Sequence, residues 1–384
     1  MGPLLRLTAA LGLILLAACS KPPQAPRLDL ERSSYSTLSG WPDDDQGPAL
    51  QAFQRSCGAL AAMADDRTVG PVGGTVADWR PACDAAASAH TPRMFFETWF
   101  TPFRASNRGD SEGLFTGYYE PLLRGARQSG GVFTVPLHGR PSGLVTVDLG
   151  RFADDLEGRK IIGRVVDGTV APLPDRGEIA AGALDGHAPV IVWVDDPVDA
   201  FFLHVQGSGR VALADSGMLR VGYAGANGHA YTSIGKVLIE RGEIARADVS
   251  LQSIRAWLAG NPGQAAGLLA TNRSYVFFRE LKGDGPLGAQ GVALTPGRSL
   301  AVDRRFLPLG VPLWLDIMAP ALGGGDRPVR RLVIAQDTGG AIRGPVRGDV
   351  FWGFGPEAEY VAGHMKHRGG YYLLLPNSVA QGLP

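Results

Sequence analysis

Neither sign of charge is in excess in this 384-residue chain: 37 Lys and Arg balance 37 Asp and Glu, for a formal net charge of +0. That balance gives no electrostatic grip on a polyanion, and nucleic acid is not expected as a partner. Long apolar runs are missing too, since the N-terminal one is too short to span a bilayer. A metal-ligand set is also lacking: His364 and His367 stand three apart, but no third ligand follows at a usable spacing. Gly283-Asp-Gly285-Pro-Leu-Gly288 satisfies a dinucleotide fingerprint only on paper, because Pro286 interrupts it and no helix opens after it. No metal or organic cofactor is therefore expected. What is present is 45% hydrophobic and 19% charged residues, enough for true cores, over a length that suits two ordinary domains. With 53 Gly and 28 Pro the chain turns often, which leans toward a β-rich fold.

The first residues read as a targeting segment. Arg6 supplies the positive region and Leu7 to Leu16 the short apolar core of a secretory signal. Leu16-Ala17-Ala18-Cys19 resembles a bacterial lipobox, with cleavage before Cys19 and lipid attached to it. Ser20, where Asp would retain the protein elsewhere, is similar to the pattern of lipoproteins sent to the outer membrane. Residues 1–18 are thus read as signal peptide, and 19–46 as a tether whose prolines follow Lys21. The remaining cysteines, Cys57 and Cys83, form a disulfide in an oxidising compartment or stay as two buried thiols; the bridge is the preferred reading.

Beyond the tether, Leu50, Phe53, Cys57 and Leu60 recur at helical spacing, predicting a helix over 47–63. Thr91-Pro92 starts another, which carries Met94, Phe95 and Trp99 as core aromatics and thioether. Leu114 to Glu120 shifts to a strand pattern, in which Tyr118 and Tyr119 point to opposite faces, so at most one lines a cleft. From Val132 to Gly225 five segments (VFTVPLH, VIVWVDD, FFLHVQGSG, RVALAD, MLRVGYAG) read as short strands of a small barrel or sandwich. Thr232 to Asn272 returns to helical signals, and Tyr275 to Phe278 to a strand. Val292 to Leu315 gives two more strands around Asp303, and Pro356 to His367 a final helix.

The stretch RLVIAQDTGGAIRGPVRGDVFWGFG, Arg331 to Gly355, concentrates the chemistry. A short apolar strand ends at Asp337, Gly339 and Gly340 let the chain turn, and a glycine-rich loop leads to Asp349 beside Val350, Phe351 and Trp352. A carboxyl group against such an apolar surface loses hydration, its pKa rises, and it becomes fit to act as a general acid near neutral pH. Taken singly, an aspartate after glycine is more often a turn residue or cap.

Three aspartates in context carry a resemblance: Asp303 in LAVDRRFLPLG, Asp337 in AQDTGGAIRG and Asp349 in RGDVFWGFG. The segment resembles the C-terminal 3D domain of the membrane-bound lytic murein transglycosylase A family. GYYEP at Tyr118, His204-Val-Gln206-Gly-Ser208-Gly and Gly225 to Tyr231 are similar to further motifs of that family. The resemblance implies a mainly β fold with peripheral helices: a double-psi β-barrel domain with a second small β-barrel inserted. On that reading 47–121 and 266–384 build the first barrel and 122–265 the insert. It implies an exolytic or endolytic enzyme, taken as exolytic, that cleaves the β-1,4 bond between N-acetylmuramic acid and N-acetylglucosamine and leaves a 1,6-anhydro end. Asp349 would be acid and then base, with Asp337 assisting. Tyr118, Tyr119, Gln206, Ser208, Tyr231, Arg279, Asp303, Gly339 and Gly340 would contact substrate, although Asp303 also reads as a brace and Arg279 as a solvated cation. Peptidoglycan strands and the outer membrane, reached through the lipid on Cys19 from the periplasmic side, are the implied partners, and proteins of a cell-wall synthesis complex are admitted as further ones. A two-carboxylate hydrolase and a non-catalytic murein-binding lipoprotein, comparable to expansin-like barrel modules, are the rival readings.

Overall fold

The computed structural model describes residues 25–383 apart from Ser216 and Asp284. The signal segment and Cys19 lie outside the described residues. Among those described, no helix is long and apolar enough to cross a membrane.

Strand β1 (Leu28–Arg32) is followed by three helices, α1 (Gly47–Ala61), α2 (Val76–Ala86) and α3 (Pro92–Trp99). Pro48 and Pro92 occupy first-turn positions, where a missing N–H costs nothing, and Thr75 and Asp78 form a capping box on α2. Strands β2 (Phe100–Asn107) and β3 (Gly113–Glu120) complete the N-terminal part. Cys57 and Cys83 are bridged, with Cα atoms 5.4 Å apart, and tie α1 to α2 across 26 residues of sequence. Loop-closure entropy for a bridge of that span amounts to about 3.5 kcal/mol. Reduction is expected to lower the midpoint of thermal unfolding accordingly, which denaturation scans with and without reductant would measure.

The middle of the chain forms its own unit. Strands β4 (Leu122–Ala126) and β5 (Val135–His138) precede a small meander, β6 (Leu144–Asp148), β7 (Lys160–Val166) and β8 (Thr169–Ala171). After α4 (Arg176–Ala180) come β9 (Val190–Val194), α5 (Pro197–Gln206), β10 (Ser208–Leu213) and β11 (Met218–Ala226). Helices α6 (Ile234–Glu240), α7 (Leu251–Gly260) and α8 (Pro262–Ala270) lead to β12 (Val276–Glu280). The order β12-β11-β10-β4-β9-β5 is closed by a bridge between Gly139 and Phe278, so six strands encircle a core that includes Leu123, Val192, Val211 and Val221.

The C-terminal part returns to the first sheet with β13 (Ser299–Val302), β14 (Pro312–Pro320), β15 (Asp326–Asp337) and β16 (Arg347–Phe354), then α9 (Pro356–His364), β17 (Lys366–Pro376) and α10 (Asn377–Ala380). β17 pairs with β14 over one stretch and with β3 over another, which closes β17-β14-β15-β13-β16-β3 into a second ring of six, with β2 and β1 added beside β17. The main core fills this ring and extends to α1–α3, with Trp41, Trp79, Phe53 and Trp314 all fully buried. The fold is mainly β with peripheral helices.

Several expectations are corrected. Residues 28–46 are not a tether: β1 pairs with β2 along its whole length, and Trp41, 1% exposed, lies in the core. The insert extends past 265, because β12 pairs with β11 and closes the insert's ring. Phe201 to Gln206 is helix, not strand. Asp196 caps it by accepting from the amides of Val198 and Asp199, Pro197 opens it, and Gly207 ends it in the left-handed region. This helix is buried on nearly every side, from Ala200 to His204, so it shows no polar face and its sequence reads like a buried strand. Pro262 both ends α7 and begins α8. The helix expected over 356–367 stops at His364, His367 belongs to β17, and a further short helix, α10, follows. Met94, at 62% exposure, is not core.

Candidate active site

Strand β13 brings the two aspartates together. Ala301 pairs with Asp337 on β15 after a register shift, and with Asp349 on β16; Asp349 in turn pairs with Thr116 on β3. Asp337, Ala301, Asp349 and Thr116 therefore form one row across four strands, with the two carboxylate backbones about 9.5 Å apart, twice the strand spacing. The alternating residues Leu300, Val350 and Phe115 fill the barrel core. The carboxylate row is consequently on the outer face, set among Tyr118, Leu294, Ala301, Ile342 and Phe351.

Each carboxyl has a distinct set of partners. Thr116 Oγ1 donates to Asp349 Oδ1 at 2.6 Å and accepts from the Arg347 guanidinium at 2.8 Å. Asp349 leaves its second oxygen without a protein partner among the described residues. Asp337 accepts from the Tyr118 hydroxyl (2.9 Å) and from the amides of Ala289 (2.9 Å) and Thr338 (2.8 Å). Burial pushes the Asp349 carboxyl above its ordinary range; the Arg347 charge and the Thr116 bond oppose this, and the Asp337 charge adds to it. Burial raises Asp337 as well, against the bonds from Thr338, Ala289 and Tyr118. Burial and the Asp337 charge hold the Tyr118 phenol protonated, so it remains a donor. Because the Thr116 bond favours ionised Asp349, Thr116→Val removes a lowering influence. If protonated Asp349 is the working form, the alkaline limb of the rate profile should move to higher pH in this variant, as measured by kcat/KM against pH.

Asp303 plays a different part. It is 1% exposed and is fully occupied by the Arg305 side chain, the Arg305 amide and the Gly344 amide. Burial would raise its pKa, but the Arg305 and Gly344 bonds together outweigh that and hold the carboxyl below its ordinary value. It braces the 338–346 loop and has no capacity left for substrate, which corrects its inclusion among contact residues. In this loop the positive φ belongs to Gly344 (113°), not to Gly339 or Gly340, so the turn does not depend on the glycine pair as expected. The amides of Gly339 and Gly340 make no hydrogen bond among the described residues.

The remaining candidates are dispersed. Tyr118 lies beside the carboxylates, whereas Tyr119 faces the other way and packs under Ala358 and Ala362 of α9. Gln206, at the end of α5, accepts from the Tyr119 amide at 3.1 Å and joins the insert to β3; Ser208 follows at the start of β10. Tyr231, 43% exposed, and Arg279, exposed on β12, lie in the insert, and among the described residues neither hydrogen-bonds to the carboxylates of the row. Thr116 and Arg347 were missed. Thr116 was within reach of the sequence, since strand alternation places it on the Tyr118 face; Arg347, two residues before Asp349, shares that aspartate's face by the same alternation, but only because β16 begins at 347, a position that reads as loop in the sequence. Among the described residues no three His, Cys, Asp or Glu are grouped to hold a metal ion.

One six-stranded ring interrupted by another, with paired carboxylates on the flank of the first, defines an architectural class with known members. The family model for the MltA specific insert domain matches residues 114–279, nearly the span from β3 to β12, and that for the 3D domain matches 298–375. Membrane-bound lytic murein transglycosylase A of Vibrio cholerae is 36% identical over 281 residues, 71% of this chain and 69% of its own. A solved structure of a membrane-bound lytic murein transglycosylase from Agrobacterium tumefaciens aligns with a TM-score of 0.82 at 36% identity, covering 92% of this chain and 99% of that one. MltA of Escherichia coli, solved with bound chitohexaose, aligns at 0.66 with 27% identity over 93% of each chain. The chain belongs to the membrane-bound lytic murein transglycosylase A family.

Proposed function

We propose that this protein is a lytic transglycosylase that cleaves the β-1,4 bond between N-acetylmuramic acid and N-acetylglucosamine in peptidoglycan and leaves 1,6-anhydromuramic ends. The observation that carries this reading is Asp349: a carboxyl with a raised pKa and an oxygen free for substrate, next to an aspartate already saturated by three donors. Protonated Asp349 gives its proton to the glycosidic oxygen as the bond from C1 breaks. The resulting carboxylate takes the proton of the muramic C6 hydroxyl as that oxygen bonds to C1. No water is consumed, and Asp349 ends protonated, ready for the next turnover. A hydrolase would need a second carboxyl free to activate water or attack C1, and the bonds on Asp337 argue for a supporting role. Tyr118 fixes Asp337, and the amides of Gly339 and Gly340 offer donors to the saccharide.

On this reading the first ring is a double-psi barrel; the mixture of parallel pairs (β13 with β15, β16 with β3) and antiparallel ones supports it. The names of the relatives support membrane attachment here too, through lipid on Cys19, with the enzyme held at the outer membrane facing the periplasm and acting on glycan strands. The test is mass analysis of products released from purified sacculi. Anhydro-muropeptides, one water lighter than reducing ones, are expected from the wild type and none above background from Asp349→Asn. Reducing ends from the wild type would make it a hydrolase.

A further inference from the structure

Arg347 and Asp349 stand two residues apart on β16, so their side chains leave the strand on the same outer face. Gly348 lies between them, and a Cβ there would meet the Phe115 ring at 2.8 Å, so the close approach of β16 to β3 requires glycine. Arg347 is only 8% exposed and forms no ion pair among the described residues. Its guanidinium donates to the carbonyls of Leu114 (3.2 Å) and Gly348, and its other nitrogen ends on Thr116 Oγ1 at 2.8 Å. A cation held inside a fold with no carboxylate against it is costly.

What it does there follows from which groups have hydrogens to give. A guanidinium only donates. Thr116 therefore accepts from it, and the single proton of the hydroxyl has one acceptor among the described residues, Asp349 Oδ1 at 2.6 Å. The bond arriving from Arg347 polarises the threonine O–H and strengthens the bond that leaves it. An acid proton on Oδ1 would point at this same hydroxyl and leave the threonine hydrogen without an acceptor. The proton of neutral Asp349 is thus kept off Oδ1 and falls to Oδ2, the oxygen with no protein partner. No other group competes for Oδ2. Ala301 is what β13 presents, Tyr118 gives its hydroxyl to Asp337, and Asp337 is taken up by three donors. Lys366, opposite Thr116 on β17, and Arg343 in the 338–346 loop are exposed, and among the described residues neither side chain bonds to the row.

We infer that Arg347 is a positioning residue that, acting through Thr116, places the Asp349 proton on Oδ2, the oxygen open to substrate; this rests on the proposed role of Asp349 as the acid. Without the guanidinium, Thr116 is free to accept. A carboxylic O–H is a stronger donor than an alcohol, so the proton then settles on Oδ1 and faces away from the glycosidic oxygen.

The experiment measures kcat and KM across pH, on soluble glycan strands, for the wild type, Arg347→Met, Arg347→Lys, Thr116→Val and the variant carrying both Arg347→Met and Thr116→Val. Arg347→Met is expected to lose about tenfold or more in kcat with KM little changed, a part of the 10²–10⁴-fold that general acid–base assistance supplies. Its alkaline limb should lie at higher pH, since the lost charge favoured the ionised carboxyl. Arg347→Lys, still a donor to Thr116, should recover part of both effects. Thr116→Val removes the acceptor for a misplaced proton, so the double variant should turn over no more slowly than Arg347→Met alone. Losses that multiply in the double variant, or an unmoved limb in Arg347→Met, overturn the assignment. Should Arg347→Met fail to fold, neutron diffraction from wild-type crystals in acidic heavy water decides: a deuteron on Oδ2 is expected, and one on Oδ1 overturns it. A deuteron on Oδ2 in a protein whose products carry reducing ends would keep the proton placement and sink the transglycosylase reading instead.

Discussion

Asp349→Asn is expected to lower release of soluble fragments from sacculi by about 10³-fold or more, with sacculus binding unchanged. General acid–base assistance by a positioned group contributes about 10²–10⁴-fold in a single step, and here one carboxyl serves both proton transfers. The amide keeps the shape and the acceptor for Thr116 but has no proton of the right acidity to give. Folding should gain rather than lose. A carboxyl whose folded-state pKa is raised takes up protons on folding, so the wild type loses stability as pH rises from the unfolded carboxyl value through the folded one. That penalty grows as pH climbs between the two values, and the neutral amide escapes it. The variant should therefore melt at a higher temperature than the wild type at pH 7, a difference that shrinks in acid. Turnover within tenfold of the wild type would remove Asp349 from the chemistry.

Asp303→Ala should do the reverse, with a loss of about 2–3 kcal/mol of stability. Three groups that now bond to this buried side chain lose their acceptor, and each unmet buried donor costs about 1–3 kcal/mol, less for the Arg305 end that reaches solvent. Its pKa is depressed in the fold, so its contribution is present above the unfolded value and fades as pH falls through the folded one. The destabilisation of the variant, read from denaturant midpoints at several pH values, should thus be greatest near neutrality and diminish in acid. Since Gly344 anchors the 338–346 loop through this bond, kcat should fall as well while Asp349 itself is intact. A variant with wild-type stability and turnover would show that the loop is held by other means.

The sequence was informative where chemistry is local. The run from Leu332 to Ile334 marks β15, Thr91-Pro92 marks the start of α3, and the alternation at Tyr118 and Tyr119 separates a residue beside the carboxylates from one under α9. It was silent where the partner is distant. Thr116 and Asp349 meet across 233 residues, Tyr118 and Asp337 across 219. Nothing near either aspartate signals that Ala301 aligns both in one row, because that depends on a register shift between β13 and β15 in which Gln336 of β15 is the extra residue. Helix α5 was misread for the opposite reason: unbroken burial from Ala200 to His204 erased the period that distinguishes helix from strand.

The most direct test is digestion of sacculi in water enriched in oxygen-18, with the released muropeptides weighed. If the muramic C6 hydroxyl closes on C1 under the control of Asp349, the new ends carry no label and are anhydro forms. Products bearing one heavy oxygen at C1 would mean that water is the attacking group, and the single-carboxyl account would be wrong.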